Sequence, residues 1–267
     1  MSNVVTKKRL EYLEKLRMLD DKYAKIIFKD VNCTLEVLNV LMNEVVVIEH
    51  HETEAYLQVI GGRSIICDIL VVKDDKSVID MELQNQKGDM HKKRIRYHTR
   101  VLDTSASKPQ QDFSDMCDIV VIFICDFDPE GKGYPLYHVK RIVEETNEDF
   151  EDGIRIMLVN GTYQGDDEIG RLVHDLRCTH PDDMYNEVLR EANKYYKETK
   201  EGQRIMCDAW EEERRAGKLE GKLEGKLESM VASLKSLMET MSLNLEEAMN
   251  ALKFTEEEKQ ICREKLL

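Results

Sequence analysis

The stretch ICDILVVKDDKSVIDMELQNQ, residues 66–86, limits the fold more than any other part of the chain. Two runs rich in β-branched residues, 65–72 and 78–84, flank the turn-forming KDDKS and so form an antiparallel hairpin. Side chains two apart on a strand share a face, which sets Asp80, Glu82 and Gln84 on one side and Ile79, Met81 and Leu83 on the other. Loop length fixes the rest. A loop from Lys73 to Ser77 pairs Val72 with Val78 and sets Asp68 opposite Glu82, their Cβ atoms about 4.5–5.5 Å apart. A loop one residue shorter sets Asp68 opposite Met81 instead. Two carboxylates that close repel unless a cation lies between them, and one or two carboxylates among oxygen ligands is the usual way to hold Mg²⁺. The first register therefore asks for a hard divalent metal; the plain alternative is a hairpin with one solvated face.

Around the hairpin, residues 6–30 and then NCTLEVLNVLMNEVV have helical periodicity, and a short strand is expected at about 56–60. GDMHKKRIRYHTRVLDT reads as a basic helix, and DMCDIVVIFICDF, YPLYHVKRI and GIRIMLVNG as strands. From Asp166 onward only helices are expected. GKLEGKLEGKLE, from Gly217 to Glu228, stacks like charges at i,i+4 and repeats glycine, which predicts a marginal helix or a tether. Beyond it, Asn244 with Glu247 and Thr255 with Glu258 offer two capping boxes. The expected organisation is an α/β core over 1–200, a helical linker over 201–228 and a small helical tail over 229–267. So small a tail on a weak tether suits self-association, as a dimer through helical regions, or contact with a partner.

The formal net charge of −14 excludes nucleic-acid binding by global electrostatics, so any such role rests on a local basic patch or a metal. HKKRIRYHTR supplies that patch: Lys93, Arg96 and Arg100 share one helix side, with Arg94 and Tyr97 beside them. The alternative is a solvated helix face. No apolar run approaches the ~18–20 residues that cross a bilayer, and the N-terminal residues carry no apolar leader, so a cytoplasmic protein without membrane contact is expected. Seven cysteines without a CxxC pair read as reduced thiols.

An Asp ending one strand, Glu-x-Gln on the next, and Arg94-x-x-Tyr97 on a following helix resemble the PD-(D/E)XK nuclease superfamily. Within it the chain is most similar to the Rpn recombination-promoting nucleases and PD-(D/E)XK family transposases. LEVLNVLMN, DILVVKDDKSVIDMELQNQ, RIRYHTR, IVVIFICDFDPEGKGYPLYHVKR, GIRIMLVNG and the Glu/Gly/Lys repeat carry the resemblance in that order. It implies a restriction-endonuclease-like core, a mixed sheet flanked by helices, with a helical C-terminal extension. It also implies that Asp68 and Glu82 bind a catalytic Mg²⁺ or Mn²⁺ together with the backbone carbonyl of Leu83, and that Gln84 stands where the motif has lysine. The implied reaction is metal-assisted hydrolysis of a DNA phosphodiester, serving recombination, transposition or defence against phage. Cys67 replaces the motif's proline, a position read as backbone geometry only. Gln84 brings no charge, so more activation falls on metal, and a catalytically weak or inactive module that binds nucleic acid or protein partners is the competing reading.

Glu36 and Glu44 on the early helix are further acids, expected at the surface. HHETE at 50–54 and the pair His174 and His180 lack a recognised zinc spacing. EETNEDFED at 144–152 is expected to be a solvated loop.

Overall fold

The computed structural model describes residues 7–266. Three helices come first: α1 (Lys7–Glu14), α2 (Asp21–Ile27) and α3 (Val31–Met42). The helix expected over 6–30 is thus two short ones, and its first residue, Thr6, lies outside the described residues. The break is held by Asp20, whose carboxylate accepts from the Arg17 backbone N–H and guanidinium, each at 2.8 Å. Asp30 caps α3 by accepting from Asn32 N, and Asn43 ends it in a left-handed conformation at φ 51°.

Next come β1 (Ile48–Leu57), β2 (Ile65–Lys73), β3 (Val78–Gln84), α4 (Lys92–Ala106), β4 (Ile119–Cys125) and β5 (Leu136–Val139). Two two-residue strands, β6 (Ile142–Val143) and β7 (Glu148–Asp149), pair with each other, and β8 (Ile154–Asn160) completes the strands. The six-stranded sheet runs β1-β2-β3-β4-β8-β5, antiparallel from β1 to β3, parallel from β3 through β4 to β8, and antiparallel again at β5. This is the mixed sheet flanked by helices that the sequence implied.

β4 lies in the middle, and every residue from Ile119 to Cys125 is buried, which explains its unbroken apolar run. β1 starts eight residues before the strand expected at 56–60 and contains HHETE. As an edge strand it is half exposed and leaves no apolar run to read. The acidic 144–152 segment, expected as a loop, carries β7 in its short ribbon.

α4 is the crossover between the parallel strands β3 and β4, and it lays Ile95, Val101 and Leu102 on Cys67, Val78, Val121 and Phe123. The remaining helices are α5 (Glu168–Arg177), α6 (Glu187–Glu198), α7 (Lys200–Met241), α8 (Leu245–Ala251) and α9 (Glu256–Leu266). The first two pack on α3.

The chain divides after Cys207 into two compact units. α7 is continuous through the glycine repeat. The second unit has a small core of Leu234, Ala248, Met249 and Cys262, and both expected capping boxes close, Asn244 with Glu247 and Thr255 with Glu258. No described helix is long and apolar enough to cross a membrane.

Candidate metal centre

The β2–β3 hairpin has the longer loop. Val72 pairs with Val78, Val71 with Ile79, Leu70 with Asp80 and Ile69 with Met81. Lys73 N donates to Ser77 O at 3.0 Å across the turn, with Lys76 left-handed at φ 72° and Asp75 capping Ser77 N at 2.9 Å.

The next step of the ladder, Asp68 to Glu82, is not a backbone pair. Asp68 N donates to Glu82 Oε1 at 3.1 Å, and Leu83 N donates to Asp68 Oδ2 at 2.8 Å. Each carboxylate reaches across to the other strand's backbone. On the far side of β2, the register with β1 also skips Asp68, where Glu54 takes φ 55°. The simple face-sharing pair is therefore corrected: both neighbouring ladders open at Asp68, and its carboxylate lies in a crevice with Asp21, Lys25, Thr53 and Leu83.

Glu82 is 1% exposed. Its Oε2 pairs with Arg94 Nη2 at 2.7 Å, and the same guanidinium donates to Gln84 Oε1 at 3.0 Å while lying 5.7 Å from the centre of the Phe123 ring. Phe123 is Glu82's partner in the parallel β3–β4 ladder. Gln84 uses its amide nitrogen on Gln86 O at 2.9 Å. A third carboxylate, Asp80, is fully buried; its Oδ2 is 2.7 Å from His98 Nδ1, and its Oδ1 has no hydrogen-bond partner. Leaving an acceptor so buried costs about 1–3 kcal/mol.

Burial pushes Glu82 up to about 8, with Asp80 and Asp68 adding repulsion. Burial likewise raises Asp80 and Asp68, the latter opposed by the hydrogen bond from Leu83 N, and it lowers His98. Three acids thus crowd one another with a single arginine inserted. Such a set is short of positive charge, and its oxygen donors, two carboxylates and a backbone carbonyl at Leu83, suit a hard divalent cation.

The expected basic surface divides. Lys93, Arg96 and Arg100 are exposed on α4, whereas Arg94 turns to the carboxylates and the Tyr97 hydroxyl donates to Arg63 O at 2.5 Å. His91 caps this helix by accepting from Lys93 N. Glu36 accepts from Asn186 and Glu44 pairs with Lys73, both away from the carboxylates. His174 lies beside Asp175 and His180 caps a turn.

Two residues at the site were missed by sequence reasoning. His98 lies one turn after Arg94, so both reach the sheet, and it packs edge-on to Phe123 at 5.9 Å. Cys67 is not only a backbone position: its sulfur lies with Asp80 and His98 in a buried cluster whose ligand atoms are all within 4.8 Å of one another.

A family model described as PD-(D/E)XK nuclease family transposase matches residues 7–161. Nothing matches among curated proteins or among solved structures.

Proposed function

Because the chain belongs to the PD-(D/E)XK nuclease family transposases, a family with a nuclease- or transposase-related role, we propose that it is a metal-dependent DNA endonuclease with Asp68 and Glu82 at its centre. The observation that carries this reading is the crossed bonding at the opened ladder, Glu82 accepting from Asp68 N and Asp68 from Leu83 N, which holds a buried and a half-buried acid on adjacent strands where repulsion would otherwise separate them.

A bound Mg²⁺ or Mn²⁺ would be held by Asp68, Glu82 and the carbonyl of Leu83, and would polarise the phosphate and lower the pKa of an attacking water. Arg94 supplies the positive charge that Gln84 lacks. Its guanidinium spans Glu82 and Gln84, keeps the Gln84 carbonyl oriented, and is half-exposed, open to a phosphate oxygen. Gln84, fixed by Gln86 O, orients rather than ionises. Tyr97 ties the loop at Arg63 to α4 and so steadies the mouth of the site. Lys93, Arg96 and Arg100 form the surface that takes the flanking DNA backbone.

The engagement of both Glu82 oxygens by protein donors favours a second reading, a nuclease-fold module that binds DNA or protein without cutting. Under either reading the helical C-terminal region serves self-association or contact with a partner.

A supercoiled-plasmid assay in Mg²⁺ or Mn²⁺ separates the two. Nicking by the wild type that disappears in Asp68→Ala and Glu82→Ala is expected. Equal nicking in all three would remove the site assignment, and a folded wild type that binds plasmid without nicking it would establish the module.

A further inference from the structure

Cys67 on β2, Asp80 on β3 and His98 on α4 have no role in the nuclease reading, yet the fold brings all three together in its core. We propose that they form a second metal site, for a transition metal of the zinc class, independent of the hard-cation centre at Asp68 and Glu82.

Ligand chemistry comes first. A thiolate, a carboxylate and an imidazole are the donor types that hold zinc and cobalt, whereas the oxygen set of Asp68, Glu82 and Leu83 suits magnesium. Geometry agrees. The three ligand atoms lie within 4.8 Å of one another, and ligands at the usual zinc distances of about 2.0–2.3 Å stand roughly 3.3–3.8 Å apart, so about an ångström of closure suffices. Three different elements carry them, so the folded core assembles the set.

A second, separate observation points to a ligand. Asp80 is 0% exposed and its Oδ1 has no hydrogen-bond partner, while Oδ2 takes His98. A hydrogen-bonded Asp–His pair that existed for packing alone explains Oδ2 but leaves Oδ1 without a hydrogen bond of normal geometry, with only the weak thiol donor of Cys67 and the carboxyl of Glu82 close to Asp80. A divalent ion occupies that acceptor. Binding exchanges the thiol proton for a sulfur–metal bond, the proton leaving to solvent, so thiolate, carboxylate and neutral imidazole together balance the ion's two charges. In this chain cysteine stands where the PD-(D/E)XK motif has proline, which is what makes the donor set possible.

The test uses the full chain, stripped with chelator and titrated with Co²⁺. One tightly held equivalent showing thiolate-to-cobalt charge-transfer absorption is expected, displaced by Zn²⁺. The band should vanish in Cys67→Ser, persist in Asp68→Ala, and form in His98→Gln only with affinity reduced at least as much as the roughly 10–100-fold lost when an outer-shell partner of a metal ligand is removed. X-ray absorption of the zinc-loaded wild type should show one sulfur at about 2.3 Å beside nitrogen and oxygen. A wild-type shell of nitrogen and oxygen alone overturns the proposal without relying on any variant's folding. So does a charge-transfer band that Cys67→Ser leaves unchanged.

Discussion

Arg94→Ala removes the single guanidinium that neutralises Glu82, and its effect should depend on pH in a way that follows from the site's geometry. Where Glu82 is protonated in both proteins, the substitution loses a hydrogen bond to Gln84, a neutral one to Glu82 and the packing against Phe123, together about 1–2 kcal/mol. Glu82 is raised to about 8 in the folded protein. Without Arg94 that value moves higher still, so above about pH 8 the wild type gains from ionising Glu82 beside arginine and the variant does not. Each further pH unit then adds up to about 1.4 kcal/mol to the difference. Because the Arg94 side chain is 40% exposed, water screens part of this, and a difference of about 2–3 kcal/mol is expected at pH 9 against about 1–2 at pH 6. Urea unfolding at the two pH values measures it. A destabilisation that is the same at both, or larger at pH 6, would refute the charge assignment.

Further outcomes follow from the same interactions. The folded-state pKa values of Asp68, Asp80 and Glu82 are raised above their unfolded values, so their contribution to stability is complete below about pH 4 and is lost as pH rises toward about 8; unfolding midpoints without metal should fall across that window. Mg²⁺ or Mn²⁺ should raise the thermal midpoint more at pH 8 than at pH 5, and chelator should reverse it; an equal shift at both would contradict binding to carboxylates that titrate there. Asp68→Ala should abolish nicking while changing urea stability by only about 1 kcal/mol, since the loss of an acceptor for Leu83 N is offset by relief of repulsion. Replacing Lys93, Arg96 and Arg100 together by alanine should weaken DNA binding across all sequences and reduce the slope of log affinity against log salt by about 0.9 for each phosphate no longer neutralised, with urea stability unchanged. Gly161→Ala should lower expression and stability sharply, because a Cβ there falls 2.0 Å from the Cys125 carbonyl oxygen.

The hairpin was legible because KDDKS marks the turn, although the choice between two loop lengths needed the structure, and β4 was legible because a central parallel strand is apolar throughout. The opening of the sheet at Asp68 was not, since on the β1 side it coincides with Glu54, a non-glycine residue in a left-handed conformation that no local signal marks. β1 was misplaced for a related reason: on an edge strand the solvent side relaxes the requirement for apolar residues. Helix phase explains what was missed on α4. Reading HKKRIRYHTR as one basic surface grouped Arg94 with Arg96 and Arg100, although Ile95, Val101 and Leu102 already show which stripe faces the sheet. Arg94 and His98 border that stripe one turn apart, so the site's arginine and its histidine could both have been found from phase alone. Cys67 could not, because its nearness to Asp80 arises only where the ladder between the strands opens.

If Asp68 and Glu82 hold a hard divalent metal, a crystal grown in Mn²⁺ will show it through the metal's anomalous scattering. A peak is expected about 2.0–2.3 Å from oxygens of Asp68, Glu82 and the Leu83 carbonyl, with Arg94 swung off Glu82. A peak elsewhere, or Glu82 still paired with Arg94 and no metal beside it, would contradict it.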